Sequence, residues 1–407
     1  MPTPRVSRPI RNQAEIRFEL PEDALAPEHP ARVLWSVFSR MDLSGFLSDA
    51  RAFEGGPGRS TTDPRMLLTL WTYAISRGVG SAREIERLTR TDVAYVWIVG
   101  QRRPSRTTIA EFRVSHLDAL DGLLTDVLAA LLEQGVLELQ TVAIDGMRVR
   151  ANASAPSFRR EASLEELREQ AALHLKAVLA QADDPGLSAL QHAAREAKAR
   201  DFQRRVDAAL EVVGRLNGTR KPGSKPARAS STDSEARVMK MADGGFRPAM
   251  NVQMATAGSV MGGPRTIVAV GVNHVGSDMG TLVPMVEQLE RRTGALPQRV
   301  LADANHASHH AIATLVERGV DVLVPLPERT YERGGIAPIQ AWKQRMASAD
   351  AKEAYRARAS LCELTNANAR RMGLTRLLVR GVAKATCVAL LTAITHDVLT
   401  HSATLLA

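Results

Sequence analysis

Residues 141–146 read TVAIDG, a short β-branched run that closes on an aspartate and a glycine. Upstream of it the apolar spacing is helical. Leu67, Leu68, Trp71, Ala74 and Ile75 share one face behind Thr62, Asp63 and Pro64, which reads as a helix start with proline in its first turn. Ser81 with Glu84 and Thr108 with Glu111 read as capping boxes that open helices over 81–88 and 109–132. At residue 141 the period changes from helix to strand. Downstream, strand signals recur at Phe246 to Ala255, Thr266 to Val272, Arg299 to Ala302 and Asp321 to Pro325, with helical stretches over 278–292 and 307–318 and from Ala349 onward. Gly262-Gly263-Pro264 is a turn signal that would pair the second and third of these strands as a hairpin.

The first strand is separated from the second by an alanine-, glutamate- and arginine-rich stretch over 157–216 with helical spacing, followed by TRKPGSKPAR at 219–228, a basic linker. These read as an insertion into a sheet domain. The expected organisation is a basic extended arm over 1–30, a helical domain over 31–136, and an α/β domain over 137–400. A helical insertion and basic linker would interrupt that last domain at about 155–235.

Composition bounds the function. The chain has 407 residues, 44% of them hydrophobic, enough for a sizeable core, and an excess of nine basic over acidic residues that favours a polyanionic partner. Cys362 and Cys387 are too few for a disulfide framework, and no apolar run approaches the roughly 18 residues of a membrane helix. The expected setting is cytoplasmic, without a membrane. The segment EGGPGR at 54–59 lacks the Gly-Lys-Ser/Thr ending of a phosphate loop, which excludes nucleotide hydrolysis by that motif.

Asp145 and Asp303 both stand at the carboxyl ends of expected strands, the edge of an open α/β sheet where ligands bind. A third acid, Glu363, lies in the helical run EAYRARASLCELTNANAR. Three hard oxygen ligands on a basic protein suit Mg²⁺ or Mn²⁺, and a pair of such ions can hold both oxygens of an in-line phosphoryl transfer. Taken singly, each acid has a plainer reading. Asp145-Gly146 is commonly a strand-to-turn cap, and Glu363 commonly a solvated acid paired with Arg358 or Arg370. His306, His309 and His310 beside Asp303 read as capping or lining the next helix.

These residues also carry a family resemblance. AIDGMRVRANA, STDSEARVMKMADGGFRPAMNVQMATA, VLADANHAS and EAYRARASLCELTNANARRMGLTRLLVRG resemble the DDE transposases of bacterial insertion sequences, as do SRPIRNQAEIRFEL and EGGPGRSTTDPRMLLTLW near the N-terminus. The resemblance implies an RNase H-like mixed sheet with flanking helices, preceded by an all-α domain. Asp145, Asp303 and Glu363 would be the metal-binding catalytic acids, with Tyr355 and Arg358 facing the DNA end. It implies double-stranded DNA as partner, a homodimer or higher oligomer on DNA, and cleavage followed by strand transfer. Asp303 is followed here by Ala304 and Asn305 where the family usually has a pair of glycines.

Further DNA contacts are expected from Arg370, from Lys221 and Lys225 in the linker, and from Arg102, Arg103 and Arg106 in an acid-free connection between N-terminal helices that could form a helix-turn-helix reader. An ordinary helical bundle with a basic loop fits the same pattern. A DNA-binding protein without catalysis, and an RNase H-like nuclease that never joins strands, stand as alternative functions.

Overall fold

The computed structural model describes residues 20–48, 60–181, 186–259, 263–325 and 336–407. Most of the expected arm and the EGGPGR segment lie outside these residues. The N-terminal helices are α1 (Pro30–Ser39), α2 (Pro64–Ser76), α3 (Ala82–Thr91), α4 (Val93–Val99), α5 (Arg106–Ser115) and α6 (Leu117–Glu133). Asp63 starts α2 as the sequence suggested, its carboxylate accepting the Arg65 amide at 2.8 Å. The next two starts hold less evenly. Ser81 accepts the Glu84 amide at 3.4 Å, whereas the helix expected from Thr108 begins earlier, because Ser105 accepts the Thr108 amide at 3.2 Å. That helix is also broken at His116, whose backbone leaves the helical region (φ −118°, ψ 48°) while its ring packs on Phe46 and Phe112. Trp71, Tyr73 and Tyr95 are core residues of this helical layer.

The sheet begins with β1 (Thr141–Arg150), which runs six residues past the expected end at Ile144. Its partner explains the difference: β5 (Phe246–Ala257) pairs with it antiparallel from Val142↔Ala257 to Arg150↔Ala249, and Met147 and Val149 continue the inward alternation. Between them lie β2 (Phe158–Arg159), the insertion helices α7 (Glu161–Ala180) and α8 (Ala189–Gly218), β3 (Ala229–Ser230) and β4 (Arg237–Lys240). After β5 come β6 (Thr266–Asn273), α9 (Leu282–Thr293), β7 (Arg299–Ala302), α10 (His309–Glu317) and β8 (Asp321–Leu323), then α11 (Ala337–Ala347), α12 (Ala349–Arg371) and α13 (Val382–Thr400).

The strand order is β4-β5-β1-β7-β8, with β6 antiparallel to β5 and with β7 and β8 parallel to β1 and to each other. Antiparallel strands on one side of β1 and parallel strands on the other give the RNase H-like arrangement. The sheet is covered on both faces. Val142 and Ile144 join a core continuous with α2, α6, α9 and α13, whereas Ala143, Leu301 and Leu323 pack on Leu361 and Cys362 of α12. The alternation along β1 therefore sends Asp145 toward α12.

The helix α13 is long and apolar enough to cross a membrane, but two thirds of it is buried inside this fold, as befits a core helix. Carboxylates secure both its ends. Asp233 and Glu235 accept the Gly381 and Val382 amides at 3.3 and 2.8 Å at its start. Near its finish the buried Asp397 accepts the Ile267 amide at 2.9 Å, beside the register shift at Ala255/Thr256.

Candidate active site

The pairing Ile144↔Ala302 between parallel strands sets the next residues, Asp145 and Asp303, side by side where β7 ends. Asp145 is held at both oxygens from α12. Arg358 Nη2 donates to Oδ1 and Asn366 Nδ2 donates to Oδ2, each at 2.7 Å. Arg358, Cys362 and Asn366 recur every four residues, so one face of α12 presents all three to the sheet. Burial pushes the Asp145 carboxyl above the ordinary range despite the Arg358 guanidinium, and the negative charge of Asp303 adds to the rise. Burial is likewise the largest single influence on Asp303, but His306, Arg358 and Asn305 together outweigh it and leave that carboxyl depressed. The Cys362 thiol, buried beside both acids, is pushed up to about 12.

Asp303 opens a short 3-10 turn in place of a glycine pair. Its Oδ1 accepts the Asn305 amide at 3.0 Å and lies 2.7 Å from His306 Nδ1, while Asn305 Nδ2 donates to Oδ2 at 3.0 Å. On its other side the fully buried His306 ring places Nε2 3.2 Å from Gln253 Oε1. Gln253 Nε2 donates to Asp278 Oδ1 at 2.6 Å and to Asn251 Oδ1 at 3.2 Å, and Arg148 pairs with Asp278 Oδ2 at 3.1 Å. Gly146 lies beneath this group. A Cβ there would overlap Gln253 Nε2 and come within 2.6 Å of Asp278 Oδ1, so the glycine after Asp145 serves a close approach inside a strand rather than a turn.

The structure thus brings Asp145, Asp303 and Arg358 together, with Tyr355 half-buried beside them and its hydroxyl pKa raised by burial. Glu363 is exposed, one residue beyond Cys362 and so about 100° round the helix from it. Arg370 is exposed on the same helix and lines an open cavity of about 440 Å³ with Arg148, Arg150, Arg247 and Arg376. Asp243 lines it too, paired with Arg247 at 2.6 Å. Lys221 and Lys225 are exposed in the linker, and Arg102, Arg103 and Arg106 are exposed around the start of α5, in neither case in contact with the carboxylates. His309 packs against Trp342 instead of reaching the site.

Sequence reasoning missed Asn366, Gln253, Asn251 and Asp278, and it left His306 as one of three undistinguished histidines. The strand NVQMATA did carry a signal: Asn251 and Gln253 stand two apart, on one face of a buried run whose only other polar residue is Thr256.

Among the described residues no three His, Cys, Asp or Glu side chains converge to hold a metal outright. The donor set where β7 ends beside β1 nevertheless fits a hard divalent ion. Mg²⁺ binds through one or two carboxylates, keeps several waters and takes the rest of its ligands from substrate phosphate, and Asp145 with Asp303 offers such a pair.

Comparison with known families gives two matches. Residues 20–115 match a transposase domain (DUF772), and residues 223–397 match a transposase DDE domain, a family that typically uses divalent metals. No curated protein matches, and no solved structure does. The second match ends inside α13 and spans Asp303, Tyr355, Arg358, Glu363 and Asn366, though not Asp145.

Proposed function

We infer that this chain, which belongs to the DDE transposases of insertion sequences, cuts DNA at the ends of its element and joins the freed 3′-hydroxyl to target DNA. The observation that carries the reading is the neighbouring placement of Asp145 and Asp303 at one sheet edge, from strands joined by the Ile144↔Ala302 pairing. Asp145 and Asp303 would hold Mg²⁺ or Mn²⁺, two ions in the full site, with Glu363 completing the set from α12. When bound, the metal supplies Lewis acidity at the scissile phosphodiester. The protein's own part is to orient and to neutralise. Arg358 has a buried Nε without a partner, a spare donor for a phosphate oxygen. Tyr355 stands beside it, and the arginines from Arg370 to Arg376 extend the positive edge along which a strand would lie. Lys221, Lys225, Arg102, Arg103 and Arg106 would add backbone contacts that carry no base preference. Water attacks the phosphodiester first and the new 3′-hydroxyl attacks second, without a covalent protein intermediate. Cutting two ends together calls for a homodimer or higher oligomer on DNA.

The exposed position of Glu363 favours a second reading, a DNA-binding protein that no longer cuts. One assay separates the two. A supercoiled plasmid carrying the element's ends is incubated with Mg²⁺ or Mn²⁺, with Asp145→Asn as control. Nicked and joined products that vanish in the variant support the transposase. Nicking without joining points to a nuclease, and end binding with no cleavage under any condition overturns the catalytic reading.

A further inference from the structure

We propose that the buried chain Asp303–His306–Gln253–Asp278–Arg148 is the device that fixes the second carboxylate for ion binding, and that His306, Gln253 and Asp278 are positioning residues acting through Asp303. This rests on the reading of Asp303 as an ion-holding acid. The directions of the hydrogen bonds carry the argument. The Asp278 carboxylate, paired with Arg148 at 3.1 Å, can only accept, so the amide that lies 2.6 Å from it must be Gln253 Nε2. Asn251 tightens the same choice by donating to Asp278 Oδ1 at 2.7 Å and offering its own oxygen to Gln253. Gln253 therefore has one orientation, with Oε1 turned to His306, and His306 Nε2 must be a donor. The imidazole is thereby fixed in rotation, and its 2.7 Å contact through Nδ1 with the Asp303 Oδ1 acceptor requires a second proton shared between those two atoms.

Two further observations mark the chain as built. His306, Asn251, Gln253 and Asp278 are each at least 98% buried, so their polar atoms are committed to one another rather than to water. Gly146, the residue after Asp145, leaves the space that Gln253 and Asp278 fill. One glycine thus lets β1 carry the first acid while the support of the second passes over it.

The test is Mn²⁺ affinity of the full chain, read from the paramagnetic resonance signal of free ion, with gel-shift binding to end DNA in the absence of metal and the melting temperature measured alongside. Asp303→Asn should weaken Mn²⁺ binding and so establish the ligand. Gln253→Leu and Arg148→Gln should each weaken it about tenfold, and for the buried Gln253 the end-DNA affinity should stay within twofold. His306→Asn, which keeps an N–H donor near the Nδ1 position, should bind Mn²⁺ more tightly than His306→Leu. Wild-type Mn²⁺ affinity in folded Gln253→Leu or Arg148→Gln overturns the proposal, as does equal loss in the two His306 variants. Should Gln253→Leu not fold, Arg148→Gln at the accessible end of the chain decides. Wild-type affinity in Asp303→Asn, or no Mn²⁺ binding by the wild type, instead overturns the functional reading beneath it.

Discussion

Asn366 on α12 and Asp145 on β1, separated by 221 positions in sequence, meet at 2.7 Å, amide nitrogen to carboxylate oxygen. The contact fixes the one oxygen of Asp145 that Arg358 leaves free, and it ties α12 to the strand that carries the first acid. Asn366→Ala should reduce cleavage of element ends at least tenfold, the range found when a residue orienting a metal ligand is lost, while gel-shift affinity for the same DNA changes little. Unaltered cleavage would show that Asp145 needs no such restraint.

Arg358 opposes the effect of burial on Asp145, so its loss has a sign that can be worked out. Burial already raises the Asp145 carboxyl pKa, and the guanidinium lowers it. Arg358→Gln should raise it further, moving the acid limb of the pH–cleavage profile to higher pH as well as reducing the rate. A profile unshifted on its acid side would separate Arg358 from Asp145.

Gly146 and Gly122 make a paired prediction. Alanine at 146 forces side-chain atoms of Gln253 and Asp278 out of place and should destabilise the protein by about 1–3 kcal/mol, with loss of cleavage. Alanine at 122, inside α6 with nothing near the new methyl group, should stabilise by about 0.5–1 kcal/mol. Thermal melts of the two variants check both signs.

Asp321 gives a pH dependence away from the site. Burial alone would raise its carboxyl, but Arg345 and Arg299 donate to it at 2.9–3.1 Å and leave it below the ordinary range. A depressed carboxyl contributes stability that is full above its unfolded pKa and is lost as pH falls through the folded value. Asp321→Asn should therefore be less stable than wild type at pH 7, by about 1 kcal/mol given the solvent exposure. The difference should shrink as pH drops below the usual aspartate range. Denaturant midpoints across pH test this.

Much of the sheet was legible in the sequence because buried strands announce themselves as short β-branched runs, and Arg299 to Ala302 was read to the residue. The far half of β1 was not, since residues 145–150 mix charged and apolar side chains and owe their extended form to the pairing with β5. At the site, the two aspartates could be named because each follows a short apolar run, although Asp145 lies inside β1 and only Asp303 stands at a strand end. The residues that hold them could not, because Asn366 and Gln253 are ordinary polar side chains until folding brings them to Asp145 and His306. Glu363 was named from the same helical run and stands exposed, about 100° round the axis of α12 from Cys362.

The place of α13 bears on how the molecule is made. Residues 382–400 supply buried side chains to a layer otherwise composed of α1, α2, α5 and α6, and their ends are fastened by Asp233, Glu235 and Asp397. A nascent chain on the ribosome that has released only its first 133 residues still has the apolar faces of those helices uncovered. They can be sealed only after residue 400 has left the exit tunnel, which delays completion of this layer until translation has passed all three acids.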